Sequence, residues 1–158
     1  MNMTNIGMDS PGVRQEPSGP AALLPWLLRR TNQHYRAAIR DRLSDRGFAE
    51  LPQPGYWALM ILARGGNDAR QLISGMGVSK QAVSKLVDAL VAGGFVDRRP
   101  NDSDRRRTDL LLSARGRHAT DVIADAVRET DEAFTRELGT ERFADLVQML
   151  EQLTRCHD

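Results

Sequence analysis

Residues 75–117 read GMGVSKQAVSKLVDALVAGGFVDRRPNDSDRRRTDLLLSARGR, and this stretch decides the fold. Its first half is a helix with two unlike sides. Spaced about 100° apart around a helix axis, Val83, Leu86, Val87 and Leu90 gather on one side with Ala82. Gln81, Ser84, Lys85 and Asp88 turn the other way, and Lys80 stands on the flank. Ser79 is a good N-cap, because its hydroxyl accepts from one of the amides that a helix start leaves unpaired. Gly93 and Gly94 end the run, so the helix is predicted over 79–92. A strand at 95–99 (FVDRR), a turn at 100–107 (PNDSDRRR) and a second strand at 108–112 (TDLLL) follow it. Side chains alternate along a strand, which puts Thr108, Leu110 and Leu112 on one face.

Upstream, a short helix is predicted over 69–76, capped by Asn67 or Asp68 and carrying Leu72, Ile73 and Met76 on its inner face. Gly75 weakens it on propensity. The link Met76-Gly77-Val78-Ser79 has the length and the glycine of a helix-turn-helix. Further out, a helix over about 54–64 carries Trp57, Met60 and Ile61, with Pro54 in its first turn. A long helix over about 22–45 carries Leu24, Leu27, Leu28, Tyr35, Ala38, Ile39 and Leu43, and Pro25 is expected within its first turn. Downstream, Ser113 caps a helix over about 114–138 with the stripe Ala119, Val122, Ile123, Ala126, Val127, Thr130 and Phe134. A last helix over about 141–155 carries Phe143, Leu146, Val147, Leu150 and Leu153. The fold class expected is mainly α with a small β-hairpin wing. One domain is expected over 21–158, with the winged helix-turn-helix at about 54–113, after a disordered tail at 1–20 rich in Gly, Pro, Ser and Asn.

The exposed side of the 79–92 helix points to duplex DNA. Base edges in the major groove are read by short polar and amine-bearing side chains near a helix N-terminus. Ser79, Lys80, Gln81, Ser84 and Lys85 are such residues, Gln81 suited to adenine and Lys80 or Lys85 to guanine or phosphate. Asp88 either lies beyond the groove or accepts from cytosine. At the hairpin tip, Asp104-Arg105-Arg106-Arg107 crowds three guanidiniums together. That arrangement is costly unless phosphates or a narrow minor groove are close by, although such charge runs are often no more than solvated surface. Asp104 is expected to orient an arginine or to accept backbone amides within the loop.

Composition sets limits. Nine basic side chains face five acidic ones between Ser79 and Arg117, a net +4, while the whole chain carries only +1. The polyanion footprint is therefore local rather than global. The single cysteine, Cys156, excludes an intrachain disulfide framework and a cysteine-based zinc site. Lying beside Arg155 and His157, it is read as a bystander thiol. His34, His118 and His157 stand at no catalytic or metal-ligand spacing, and no phosphate-binding glycine loop is present. No enzyme, cofactor or metal is expected. No run approaches a membrane span, the first residues lack a signal-peptide core, and a cytoplasmic location is expected.

The same stretch resembles the core of MarR-family regulators. The family pattern has a Gly-aliphatic-Ser turn, a Val…Leu…Leu helix and Gly-aliphatic-Val before the wing. An Asp-Arg-Arg wing and a Leu-Thr-x-x-Gly ending complete it. Here these are Gly77, Val78 and Ser79, then Val83, Leu86, Val87 and Leu90, then Gly94, Phe95 and Val96. Asp104, Arg105 and Arg106 follow, then Leu110, Leu112 and Gly116. Ile73, Thr108 and Ser113 depart mildly from it. The resemblance implies a bacterial transcriptional regulator, with repression the family tendency. It implies a homodimer interlocked through the N- and C-terminal helices, binding a pseudo-palindromic operator. It also implies release by a small aromatic or phenolic effector wedged between the dimer helices and the DNA-binding lobe. Trp26, His34, Tyr35, Trp57 and Met60 are the candidates to line that pocket, against a plainer reading in which Trp57 and Met60 are core and His34 is merely exposed. The alternative function is a winged helix kept as a protein-interaction scaffold without specific DNA binding, which the wing arginines disfavour.

Overall fold

In the computed structural model, residues 20–104 and 107–155 are described. The expected tail before Pro20, the wing residues Arg105 and Arg106, and Cys156 lie outside them. The element order is α1 (Pro20–Asp45), α2 (Gly55–Ala63), α3 (Ala69–Met76), α4 (Lys80–Ala92), β1 (Val96–Pro100), β2 (Thr108–Leu112), α5 (Ala114–Leu138) and α6 (Thr140–Arg155). Two compact units divide after Gln33. In the first, Leu23, Leu24, Leu27 and Leu28 are exposed and the Arg30 guanidinium lies over the Trp26 ring at 5.3 Å. Pro25 is the sixth residue of α1 rather than part of its first turn. There its missing amide leaves the helical ladder one bond short.

In the second unit, the apolar stripes of α2, α3, α4 and α5 close around one core. Leu59, Leu72, Val83, Leu90, Phe95, Val96 and Ile123 are its most deeply buried side chains. Ile39 and Leu43 join it from the end of α1. Ala82, expected on the buried side of α4, is exposed instead.

The turns follow from local chemistry. Asp68, not Asn67, caps α3: its Oδ1 accepts from the Gln71 amide at 2.9 Å, while Gln71 Oε1 accepts from the amides of Asn67 and Asp68 at 2.6 and 3.2 Å. This is a reciprocal capping box. Gly77 then takes φ +63°, a left-handed conformation that closes α3 and starts the turn into α4. Ser79 Oγ accepts from the Ala82 amide at 3.2 Å.

The first strand begins one residue later than the pattern suggested. With Gly94 at φ +70°, the Phe95 amide donates to Leu90 O and the Gly94 amide to Val91 O, each at 2.9 Å. Phe95 is thus the closing residue of a Schellman cap, and its ring is fully buried. The wing pairs antiparallel, Val96 with Leu112 through Pro100 with Thr108. A further rung ties it to the body of the lobe, where the Leu110 amide donates to Asn67 O at 2.8 Å.

α6 buries no residue. Leu146, Val147, Met149 and Leu153 are exposed along it, an apolar surface that no other described residue covers.

Candidate nucleic-acid interface

The helix-turn-helix is α3, the Gly77 turn and α4. Val83, Leu86, Val87 and Leu90 are buried, and Ser79, Lys80, Gln81, Ser84, Lys85 and Asp88 are all exposed. The stripe formed by Gln81, Ser84, Lys85 and Asp88 runs at i, i+3, i+4 and i+7, so it forms one continuous face over two helical turns. Asp88 is paired: Arg98 Nη2, reaching back from β1, is 2.5 Å from Asp88 Oδ1. No sequence rule links those two positions, and the sequence reading missed the pair.

The wing turn is organised by Asn101, which also escaped the sequence reading. Its Oδ1 accepts from the amides of Ser103 and Asp104 at 3.0 and 2.8 Å, and its Nδ2 donates to both oxygens of Asp109 at 3.0 Å. The signal was available, because an asparagine opening Asn-Asp-Ser-Asp suits an Asx turn. Asp104 takes part through its backbone carbonyl, which accepts from the Arg107 amide at 2.8 Å.

Of the three expected wing arginines, Arg107 is among the described residues, and it is paired. Arg107 Nη2 lies 2.6 Å from Oδ2 of Asp68, and Arg70 Nη2 lies 3.4 Å from the same oxygen. The residue that caps α3 therefore also anchors the base of the wing. The Gln71 amide, foremost, holds the Asp68 carboxyl below its ordinary range against the opposing effect of burial, and Arg107 and Arg70 add to that lowering.

The effector candidates do not converge. Trp26 belongs to the unit before His34. In the second unit, His34 and Tyr35 each meet the Phe134 ring edge-on, with centroids 5.9 and 5.5 Å apart. Tyr35 donates to Asp131 at 2.5 Å. Burial, followed by that hydrogen bond and the nearby charge, raises the phenol above its ordinary range. Trp57 is 49% exposed and so is not core; it leans on Tyr56 at 5.0 Å. Met60 is half-buried against the core. A separate cavity of about 130 Å³ opens between the end of α1 and α2, lined among others by Arg36, Ile39, Arg40, Leu43, Phe48 and Tyr56. Of the five candidate residues, none lines it.

Among the described residues no three His, Cys, Asp or Glu side chains gather as a metal site, and no helix is long and apolar enough to cross a membrane.

A helix-turn-helix packed by its inner face on the core, with a two-stranded wing and an exposed polar stripe on its second helix, is the architecture of a winged-helix DNA-binding protein. The MarR family model matches residues 49–107, which hold the helix-turn-helix and most of the wing. The chain is 22% identical over 137 residues to the HTH-type transcriptional regulator BilQ of Clostridium symbiosum (strain WAL-14163), covering 83% of this chain and 95% of BilQ. Its fold is shared with a MarR transcriptional regulator from Methanosarcina mazei Go1, at TM-score 0.72 and 17% identity over 84% of this chain and 94% of that one. It is shared also with Bordetella bronchiseptica BpsR, a protein whose DNA binding is regulated by 6-hydroxynicotinic acid. That match has TM-score 0.68 and 17% identity, covering 88% of this chain and 98% of BpsR. The chain is thus similar to MarR-family winged helix-turn-helix transcriptional regulators, over residues 49–107 in the family model and over most of its length in the curated relative and in fold.

Proposed function

We propose that this regulator represses transcription as a homodimer on a pseudo-palindromic duplex operator and leaves it when a small aromatic acid binds. The observation that carries the DNA reading is the stripe on α4. It presents amide, hydroxyl and amine groups to solvent from the N-terminal turns of the helix, and these groups match major-groove edges and phosphate oxygens. Arg105 and Arg106, which lie outside the described residues, are assigned to phosphates or the minor groove beside it. Arg107, tied to Asp68, holds the wing in place.

Fluorescence anisotropy against the protein's own upstream duplex and a scrambled one, at several salt concentrations, tests this reading. The parent is expected to prefer the upstream duplex and to weaken steeply with salt. Each phosphate that an arginine neutralises adds about 0.9 to the slope of log K against log salt, so replacing both Arg105 and Arg106 by Ala should flatten that slope by about two. Gln81→Ala or Lys85→Ala should instead relax base preference. Unchanged affinity and slope in the double variant would sink the wing assignment.

The homodimer is supported by the family resemblance and by apolar side chains of α6 and of the Leu23–Leu28 stretch that stay exposed among the described residues. Two recognition helices about 34–36 Å apart would then enter successive major grooves. Sedimentation equilibrium at micromolar concentration should give twice the chain mass, and replacing Leu146 and Leu153 by Asp should give the monomer. A parent with the monomer mass refutes the dimer.

For the effector, the cavity between α1 and α2 pairs the aromatic walls of Phe48 and Tyr56 with the guanidiniums of Arg36 and Arg40. That lining suits a monocyclic aromatic carboxylate, the class to which the effector of BpsR belongs. The anisotropy titration repeated with such acids reads release directly.

A further inference from the structure

We propose that Asp88 is a specificity-determining residue: held by Arg98, its carboxylate takes the exocyclic amine of a cytosine in the operator. This rests on reading α4 as a major-groove helix. Gln81, Ser84, Lys85 and Asp88 are exposed on one face at i, i+3, i+4 and i+7. The third helix of a homeodomain reads its groove with that same spacing. Asp88 is therefore not past the end of the readable face but is its last position, about 10 Å along the axis from Gln81 at 1.5 Å per residue.

A bare carboxylate there would repel the phosphates on either side. This one is paired, with Arg98 Nη2 2.5 Å from its Oδ1. Arg98 alternates along β1 with Asp97 and Arg99, so it leaves the strand on the face opposite to theirs, toward α4. The pair brings no net charge to the polyanion. A carboxylate has about four lone-pair sites, so one hydrogen bond to Arg98 fixes the group and leaves the second oxygen free to accept. In the groove, phosphates offer only acceptors, whereas the cytosine amine is a donor matched to Asp or Glu. Adenine shows an amine there too, but between two acceptors, its own N7 and the thymine O4, which repel a carboxylate, whereas the cytosine amine has an acceptor on one side only, so Asp88 gains most on cytosine.

The side chains of Asp88 and Arg98 are 60% and 44% exposed. An ion pair that open to water contributes little to folding, so substitutions here report on DNA binding.

The test is selection of duplexes from a random pool by the full chain, followed by anisotropy on the selected and a scrambled duplex. It compares the parent with Asp88→Ala, Asp88→Asn and Arg98→Gln. The parent motif should hold a cytosine at one position of each half-site. Asp88→Ala should leave that position unselected. Asp88→Asn should turn it to adenine, whose N6 and N7 a carboxamide matches. Arg98→Gln should blur the same position and no other. With one negative charge gone from the footprint, Asp88→Ala should bind the scrambled duplex about eight-fold tighter at 0.1 M salt, from a slope change of about 0.9. Its preference for the selected duplex should fall by about ten-fold or more. An identical motif for the parent and both Asp88 variants overturns the proposal. A parent that binds both duplexes in a salt-dependent way but selects no motif overturns base reading while DNA binding stands. A parent that binds neither overturns the reading of α4 itself.

Discussion

Gly116→Ala is expected to destabilise the protein by about 3–5 kcal/mol, which takes Tm down by on the order of 10 °C for a chain of this size. Propensity alone gives the opposite sign, since Ala in a helix is about 1 kcal/mol better than Gly. Packing decides the case. Gly116 is the third residue of α5, and its amide donates to Oγ of the capping Ser113 at 2.9 Å. The Ser113 amide in turn donates to Phe95 O at 3.0 Å, so the first turn of α5 is drawn onto the chain just before β1. A Cβ on Gly116 would overlap that same Phe95 oxygen and stand 3.0 Å from its carbon. Both sides of the clash are backbone, so no rotamer relieves it. Either α5 lifts or the Ser113–Phe95 bond breaks, and the core behind Phe95 opens in both cases. Gly47→Ala is the control. Gly47 has φ +79° with nothing within 4 Å of the added carbon, and the strain of one left-handed alanine costs only about 1–2 kcal/mol. Urea denaturation of the two variants should separate them clearly, and a loss at Gly116 no larger than that at Gly47 would show that α5 and the Phe95 carbonyl shift apart at little cost and that close approach does not set the requirement there.

That contrast marks what the sequence could tell. Periodicity and caps are local, so the helices, the Gly77 turn, the hairpin and the exposure of Lys80, Gln81, Ser84 and Lys85 were legible from spacing alone. Gly116 was legible only as part of a family pattern, and its physical reason needed the position of the Phe95 carbonyl. Phe95 was misplaced into β1 because an aromatic followed by valine reads as strand, while the Gly94 cap claims it first. The ion pairs Asp68–Arg107 and Asp88–Arg98 join positions 39 and 10 residues apart, and a pairing across elements leaves no periodic trace. The cavity between α1 and α2 was least legible: it is lined by Arg36, Arg40 and Phe48, among others, whose convergence depends on how α1 ends against α2 and leaves no periodic trace.

Asp68→Asn is expected to weaken operator binding by about ten-fold or more even though it removes a negative charge from the DNA-binding lobe. Simple electrostatics gives the reverse sign, one carboxylate fewer strengthening binding at a given salt. Asp68 serves two elements at once. Its Oδ1 caps α3 and its Oδ2 holds the Arg107 guanidinium at 2.6 Å, so the base of the wing is fixed to the first helix of the helix-turn-helix before DNA arrives. Without that tie the wing must be ordered at the moment of binding, and ordering costs affinity. The stability effect is separable and follows pH. Asparagine is itself a good N-cap, so the loss at neutral pH, about 1–2 kcal/mol, is mainly that of a charge-assisted hydrogen bond on a partly buried carboxylate. The folded protein holds the Asp68 carboxyl below its ordinary value of 3.8, chiefly through the Gln71 amide. A depressed folded pKa means that the contribution is fully present above the unfolded value and is lost as pH falls through the folded one. The gap in urea stability between the parent and Asp68→Asn should therefore be constant from neutral pH down to about 5, and should narrow below about 4. Tighter operator binding by Asp68→Asn would mean that the wing needs no anchor and that only the charge at Asp68 matters to DNA. A stability gap that persists unchanged at low pH would mean that the group acts through its shape rather than through its ionised oxygens.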